Sequence, residues 1–261
     1  MIEHNFKKKY GQNFLKDKNI INKIVETANI ENNSIIIEIG PGSGALTQVL
    51  VKKGLTISYE VDEELKKILD EKFENEPNSK IIYGDFLKAN VKEQLEKYKY
   101  NKLYVVANLP YYITTPIITK LIDDNLDIDK MVLMVQKEVG DRITSKIGSK
   151  DYSSLTVFLN YYFDIKKEFI VSKNSFVPRP NVDSMIISLN KKENKIKAVN
   201  ESLFFKLVRD SFKYKRKTLK NNLANYDFEK IMSVLNKHGK KETTRAEEID
   251  LETFIEISNN L

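Results

Sequence analysis

The amino-acid sequence predicts an α/β fold: an open, mostly parallel sheet with helices on both faces, followed by a small all-α C-terminal domain. Three observations predict it. Short β-branched runs alternate with helical patterns over the first two-thirds of the chain. A glycine-rich turn links the first of those runs to a helical stretch. Strand signals then stop after residue 190.

Each element follows from local pattern. Ser34 to Ile39 (SIIIEI) reads as a buried strand because its apolar character is nearly continuous. It runs into Gly40-Pro41-Gly42-Ser43-Gly44 and a helical stretch from Ala45 to Lys53. Leu55 to Glu60, Lys80 to Tyr83, Leu103 to Ala107 and Met131 to Gln136 read as the next strands, with helical spacing over Glu63 to Phe73 and Val91 to Tyr98. Tyr161 to Val171 and Ser184 to Leu189 supply later strands, the last after the Pro178-Arg179-Pro180 turn. The charged stretch Lys191 to Lys197 has no core pattern, so the domain boundary is expected there: residues 1–190 form a catalytic domain and 191–261 a helical one. Ser202 to Leu223, Asp227 to Lys237 and Leu251 to Asn259 look like amphipathic helices.

Composition narrows the function classes. A chain of 261 residues can bury one large core with a small appendage, and 41% hydrophobic with 31% charged residues describes a folded protein. No window approaches the roughly 18 apolar residues that a membrane-spanning helix needs, and the basic N-terminus lacks the apolar stretch of an export signal. The cytoplasm is the expected location, with no membrane partner. Cysteine is absent, and the two histidines, His4 and His238, lie far apart, so neither disulfides nor a metal site are expected. The net charge of +6 permits a polyanionic partner. Bias toward lysine alone would produce that charge, so local clustering has to decide.

The first strand ends at a turn, Glu38-Ile39-Gly40-Pro41-Gly42-Ser43-Gly44, whose glycines let the backbone approach a ligand closely. Proline at 41 and the lack of the usual third glycine argue against a pyrophosphate cradle. Gly40 and Gly42 are therefore candidates to hold a nucleoside ligand without phosphates, such as S-adenosylmethionine. Glu60 ends the second strand about 20 residues later, where a carboxylate can accept both ribose hydroxyls. That role serves a nicotinamide cofactor and S-adenosylmethionine equally. Asp85, after the third strand, is placed to accept an adenine amino group.

Asn108-Leu109-Pro110-Tyr111 follows the fourth strand, at the sheet edge where such folds bind ligands. Methylating an exocyclic adenine amine needs such a segment. The N6 lone pair is delocalised into the ring, and the neutral amine is too weak an acid for a general base to help. Acceptors on its two N–H bonds favour a pyramidal nitrogen and stabilise its developing positive charge. The Asn108 side-chain oxygen and the Leu109 carbonyl are candidates for those acceptors. Pro110 stiffens the segment, and Tyr111 offers a face for an extruded base.

These segments, with Gly11-Gln12-Asn13-Phe14-Leu15 before them and Phe176-Val177-Pro178-Arg179-Pro180-Asn181-Val182-Asp183-Ser184 after, occur in an order that resembles the ribosomal RNA adenine N6,N6-dimethyltransferases. The likeness is to the small-subunit (16S-type) branch linked to kasugamycin sensitivity, and it covers nearly the whole chain. The resemblance implies a Rossmann-like, S-adenosylmethionine-dependent methyltransferase sheet. It implies that Asn13 and Leu15 touch the cofactor alongside Gly40, Glu60, Asp85 and Asn108, and that Phe176 stacks on the target adenine opposite Tyr111. The implied reaction is transfer of two methyl groups to each of two adjacent adenines near the 3′ end of small-subunit RNA, during 30S assembly.

Local charge supports an RNA partner. Phe205 to Leu223 carries Lys206, Arg209, Lys213, Lys215, Arg216, Lys217 and Lys220 against one acid, Asp210, a density that phosphate contacts would explain. Lys7-Lys8-Lys9 forms a second cluster. A monomer is expected. Three other readings stay open: a large-subunit (23S) adenine dimethylase conferring macrolide resistance, a mainly non-catalytic assembly factor and, more distantly, a nicotinamide dehydrogenase. Lys215-Arg216-Lys217-Thr218-Leu219 and Arg245-Ala246-Glu247-Glu248 resemble the small-subunit branch rather than the first of these.

Overall fold

A computed structural model describes residues 13–193 and 196–261. The Lys7-Lys8-Lys9 cluster, with His4, Tyr10, Gly11 and Gln12, lies outside the described residues. The strands are β1 (Phe14–Leu15), β2 (Ser34–Ile39), β3 (Leu55–Glu60), β4 (Ser79–Tyr83), β5 (Lys102–Asn108), β6 (Lys130–Gln136), β7 (Phe163–Val171), β8 (Phe176–Val177) and β9 (Ser184–Lys191). The main sheet runs β4-β3-β2-β5-β6-β9-β7. Its pairs from β4 through β6 are parallel, and β6 to β9 is antiparallel. A separate two-stranded ladder pairs β1 with β8.

That order fixes the site. The chain winds outward from β2 in one direction through β3 and β4, then returns to β2's other side with β5. Connections leave the carboxyl ends of β2 and β5 in opposite directions and open a crevice there. The strands of this parallel sheet are covered on both faces, which is why β2, β5 and β6 read as apolar runs.

The first helix, α1 (Lys18–Ala28), escaped the sequence reading. Asp17 caps it by accepting from Asn19 N at 2.9 Å, and Asn29 closes it in the left-handed region at φ 48°. Its buried residues Ile21, Ile24, Val25 and Ala28 recur at helical spacing. They pack with Ile36, Val106 and Met134 of the sheet. Each isoleucine buried there contributes about 1.5–3 kcal/mol. The next helices are α2 (Thr47–Leu50), α3 (Lys66–Phe73), α4 (Val91–Leu95), α5 (Thr114–Asp123), α6 (Lys137–Ile143) and α7 (Ser154–Tyr162). The expected helix over Ala45 to Lys53 is confined to the short α2.

Two compact units result: residues 1–140 with 166–190, and residues 141–165 with 191–261. Residues 141–165, counted with the catalytic part in sequence, thus group with the helical unit. The expected strand from Tyr161 starts instead at Phe163, because Tyr161 and Tyr162 end α7. Val157 and Tyr161 of that helix are buried with Phe204, Leu207 and Phe254. The second unit continues with α8 (Glu201–Ser211), α9 (Leu219–Asn222), α10 (Phe228–Lys237) and α11 (Leu251–Asn260). The single helix expected over Ser202 to Leu223 is broken in two. Asn222 donates from Nδ2 to the carbonyls of Ser211 (2.8 Å) and Tyr214 (3.2 Å) and accepts from Tyr214 N (3.1 Å), which holds the chain between α8 and α9 as a turn.

Candidate active site

Ten of the residues assigned from sequence line one cavity of about 290 Å³: Asn13, Leu15, Gly40, Gly42, Glu60, Asp85, Asn108, Leu109, Pro110 and Tyr111. They reach it from the carboxyl ends of β2, β3, β4 and β5 and from the β1 arm. Phe176 does not. Its ring is 2% exposed and packs in the core with Leu15, Val171 and Ile186. Its backbone pairs with Leu15. The structure thus does not bring Phe176 to the cavity wall with Tyr111, opposite which it was expected to stack.

The glycine turn has a steric reason. Gly40 and Gly42 have φ of 74° and 57°, a region that costs other L-residues about 1–2 kcal/mol. A Cβ at Gly42 would also lie 2.5 Å from the Phe14 ring. Glu60 fastens the turn: its Oε2 accepts from Gly42 N at 3.1 Å and its Oε1 from Asp62 N at 2.8 Å. Each oxygen keeps a second lone pair for a ligand. Burial raises the Glu60 pKa above the ordinary carboxylate value, against the pull of those two N–H donors. Asp85 accepts from Leu87 N at 2.9 Å through Oδ1 alone, leaving Oδ2 as its second acceptor oxygen.

Glu38, not singled out from sequence, is the most perturbed acid here. It is 1% exposed. Its Oε2 accepts from Thr47 Oγ1 and Ser58 Oγ, each at 2.7 Å, and its Oε1 has no partner among the described residues. Burial pushes its carboxyl up to about 7, with the Ser58 and Thr47 hydroxyls opposing. The signal in the sequence was an acid inside the apolar run SIIIEI. Lys72 braces the same turn from outside, donating to the Ser43 carbonyl at 3.1 Å.

The opposite wall is built differently. Asn108 Nδ2 donates to the Asn13 carbonyl at 3.1 Å, so the donor end of the amide is committed to the arm and the acceptor end, Oδ1, is left over. Leu109 N donates to Met134 O at 3.1 Å, which ties its backbone to β6. Among the described residues, neither Asn108 Oδ1 nor the Leu109 carbonyl accepts a hydrogen bond. Tyr111 Oη lies 2.6 Å from Ser184 Oγ. Burial raises the Tyr111 pKa, with the Ser184 bond opposing, so the phenol is neutral at physiological pH. Tyr112, also missed in sequence, is 56% exposed on the same cavity wall.

The lining also has a sign. Among the described residues it includes Glu38, Glu60 and Asp85 and no Lys, Arg or His. Such a wall repels a pyrophosphate and suits a ligand carrying positive charge. The described lining thus fits S-adenosylmethionine, with hydroxyl acceptors at Glu60 and an amine acceptor at Asp85. No metal-binding cluster occurs among the described residues, and none of the described helices is long and apolar enough to cross a membrane.

The family model for ribosomal RNA adenine dimethylase matches residues 3–261. Among curated proteins, the chain is 43% identical to ribosomal RNA small subunit methyltransferase A of Listeria innocua, over 98% of this chain and 90% of that protein. It is 44% identical to the protein of that name from Bacillus cytotoxicus, over 98% and 91%. Among solved structures, a dimethyladenosine transferase from Plasmodium falciparum aligns with a TM-score of 0.77 at 26% identity, covering 94% of this chain and 95% of the other. The 23S rRNA methyltransferase ErmE aligns at 0.74 and 25%, covering 95% and 99%.

Proposed function

This chain belongs to the ribosomal RNA adenine dimethylase family, and on that premise we propose that it dimethylates N6 of two adjacent adenines in the 3′-terminal hairpin loop of small-subunit ribosomal RNA, acting on a 30S assembly intermediate. It is an S-adenosylmethionine-dependent enzyme. Bound in the acidic cavity, S-adenosylmethionine supplies an electrophilic methyl group on a sulfonium. Gly40, Gly42, Glu60 and Asp85 hold that donor's nucleoside part, with Asn13 and Leu15 closing over it from the arm. Asn108 Oδ1 and the Leu109 carbonyl accept the two N6–H bonds, hold the amine pyramidal and stabilise its developing charge. Pro110 keeps these acceptors from relaxing away, and Tyr111 stacks on the extruded base.

One observation carries this reading: two acceptors from consecutive residues, Asn108 Oδ1 and the Leu109 carbonyl, have no partner among the described residues and belong to the wall of a cavity whose described lining has no cation. The large-subunit alternative has weaker support, since the likeness to ErmE is 25% against 43–44% to the small-subunit enzymes. We assign RNA binding to the helical unit. Lys215, Arg216 and Lys217 are exposed between α8 and α9 and form no ion pair among the described residues, whereas Lys220 pairs with Glu242 and Arg209 lies over the Phe158 ring. The enzyme works as a cytoplasmic monomer.

The test is incubation of the protein with labelled S-adenosylmethionine and under-methylated small or large subunits, followed by mapping of the modified nucleotides. Label on two adjacent adenines near the 3′ end of the small-subunit RNA is expected; label confined to the large subunit would overturn the assignment.

A further inference from the structure

Tyr111 needs more than its backbone to serve as a stacking face. Its ring turns about two side-chain bonds, and it sits in the tight turn 111–113 just past the stiff Pro110. A ring free to rotate would meet the incoming base in many poses, of which few present N6 to the acceptors. The structure fixes it from a distance of 73 positions in sequence, through the 2.6 Å contact between Tyr111 Oη and Ser184 Oγ.

Ser184 is itself a fixed point. It is fully buried at the start of β9, in register with Gln136 of β6. The preceding residue, Asp183, is held twice: its carbonyl accepts from Lys137 N at 2.9 Å, and its Oδ1 accepts from Lys173 N at 2.9 Å. The hydroxyl that meets Tyr111 thus projects from backbone locked to the sheet and to the turn at 173–175. The same segment carries Phe176, whose backbone pairs with Leu15 of the cofactor arm. A hydroxyl that only satisfied its own buried polarity could have bonded a neighbouring carbonyl; this one meets the tyrosine of the base wall.

We propose that Ser184 is a positioning residue for methyl transfer, holding the Tyr111 ring in the pose that receives the target base. This rests on the reading of residues 108–111 as the base site. Removing either hydroxyl removes one hydrogen bond of about 0.5–1.5 kcal/mol, so each of Ser184→Ala and Tyr111→Phe lowers kcat/KM for RNA by up to about tenfold. The loss is in kcat, because a misposed base still binds, and the dissociation constant for S-adenosylmethionine stays within about twofold. The double variant is no slower than the slower single variant, because both changes break the same contact.

The experiment is single-turnover methylation of under-methylated small subunits by wild type, the two single variants and the double variant, with cofactor affinity and thermal midpoint measured on each. Coincident kcat losses without multiplication support the proposal. Losses that multiply, or a Ser184→Ala enzyme of lowered thermal midpoint and wild-type kcat, overturn it. If Ser184→Ala does not fold, Tyr111→Phe decides alone, since it leaves Ser184 in place: wild-type kcat there refutes the peg. Tyr111→Ala separates the two readings. Undiminished turnover in that variant rejects the base site itself, whereas a loss there beside unaffected Ser184→Ala and Tyr111→Phe rejects only the role of Ser184.

Discussion

The two walls of the cavity handle their polar groups in opposite ways. On the glycine-turn wall the acids are tied to the protein: Glu60 bonds Gly42 N and Asp62 N, and Glu38 bonds Thr47 and Ser58. On the wall of residues 108–111, the Pro110 carbonyl and the Tyr111 hydroxyl are bonded, but Asn108 Oδ1 and the Leu109 carbonyl have no partner among the described residues. Asn108 gives its N–H to Asn13 and Leu109 gives its own to Met134, while the two oxygens accept nothing among the described residues. Acids held in place by protein donors bind a ligand with little reorganisation; open acceptors on a rigid segment act only when a donor arrives. The first property suits a donor held through two rounds of transfer, the second a step in which charge develops.

Four changes test that contrast. Asn108→Ala removes an acceptor from the open wall, and with it the Nδ2 bond to the Asn13 carbonyl of the arm. Loss of one preorganised group of this kind costs about 10²–10³ in kcat, so single-turnover methyl transfer at saturating S-adenosylmethionine falls by about that factor. Retained transfer would dissolve the difference between the walls.

Glu38→Gln probes the cradle through pH. The folded-state carboxyl is raised from 4.5 to about 7, so between those values the folded protein holds a proton that the unfolded chain has lost. The stabilising contribution is complete below about pH 4.5 and disappears as pH rises through about 7. Wild type therefore loses stability over that window, by roughly 3 kcal/mol at most from this group. Glu38→Gln flattens that part of the profile in urea unfolding at pH 5 and pH 8; identical pH dependence in both proteins would show that Glu38 ionises normally. Glu60 lies in the same field, so the comparison is of the difference between the two profiles.

Gly42→Ala strains the turn and drives a Cβ into the Phe14 ring. A cost of about 1–2 kcal/mol in the bound geometry lowers cofactor affinity by about tenfold, with RNA binding unaffected. The smallest effect is expected outside the cavity. Replacing Lys215, Arg216 and Lys217 together by alanine reduces the slope of log affinity for RNA against log salt by about 2–3, leaving cofactor affinity untouched; an unchanged slope removes that turn from the RNA interface.

Much of this was legible in sequence because it is local. The strands β2, β3, β5 and β6 follow from β-branched runs and fall within a residue of their expected bounds. Once strand ends were known, the crevice residues Gly40, Glu60, Asp85 and Asn108 followed from register. What escaped depends on tertiary partners. The burial of Phe176 with α1 and the sheet depends on residues distant in sequence, so Phe176-Val177-Pro178 alone does not announce it. Glu38 carried a signal, an acid in an apolar strand, but its partners Thr47 and Ser58 come from other elements. The link from Asn13 to Asn108 spans 95 positions, so no local pattern could announce it. The break between α8 and α9 is set by the Asn222 side chain, which in sequence looks like an ordinary helical residue.

The central claim is that the amine of the target adenine is held by Asn108 and Leu109. It is tested most directly by a crystal structure of the protein with S-adenosylhomocysteine and an RNA hairpin carrying the adjacent adenines. The expected result is an unstacked adenine with N6 at hydrogen-bond distance, about 2.7–3.2 Å, from both Asn108 Oδ1 and the Leu109 carbonyl. An adenine seated in the cavity with its N6 directed away from residues 108–111 would contradict it.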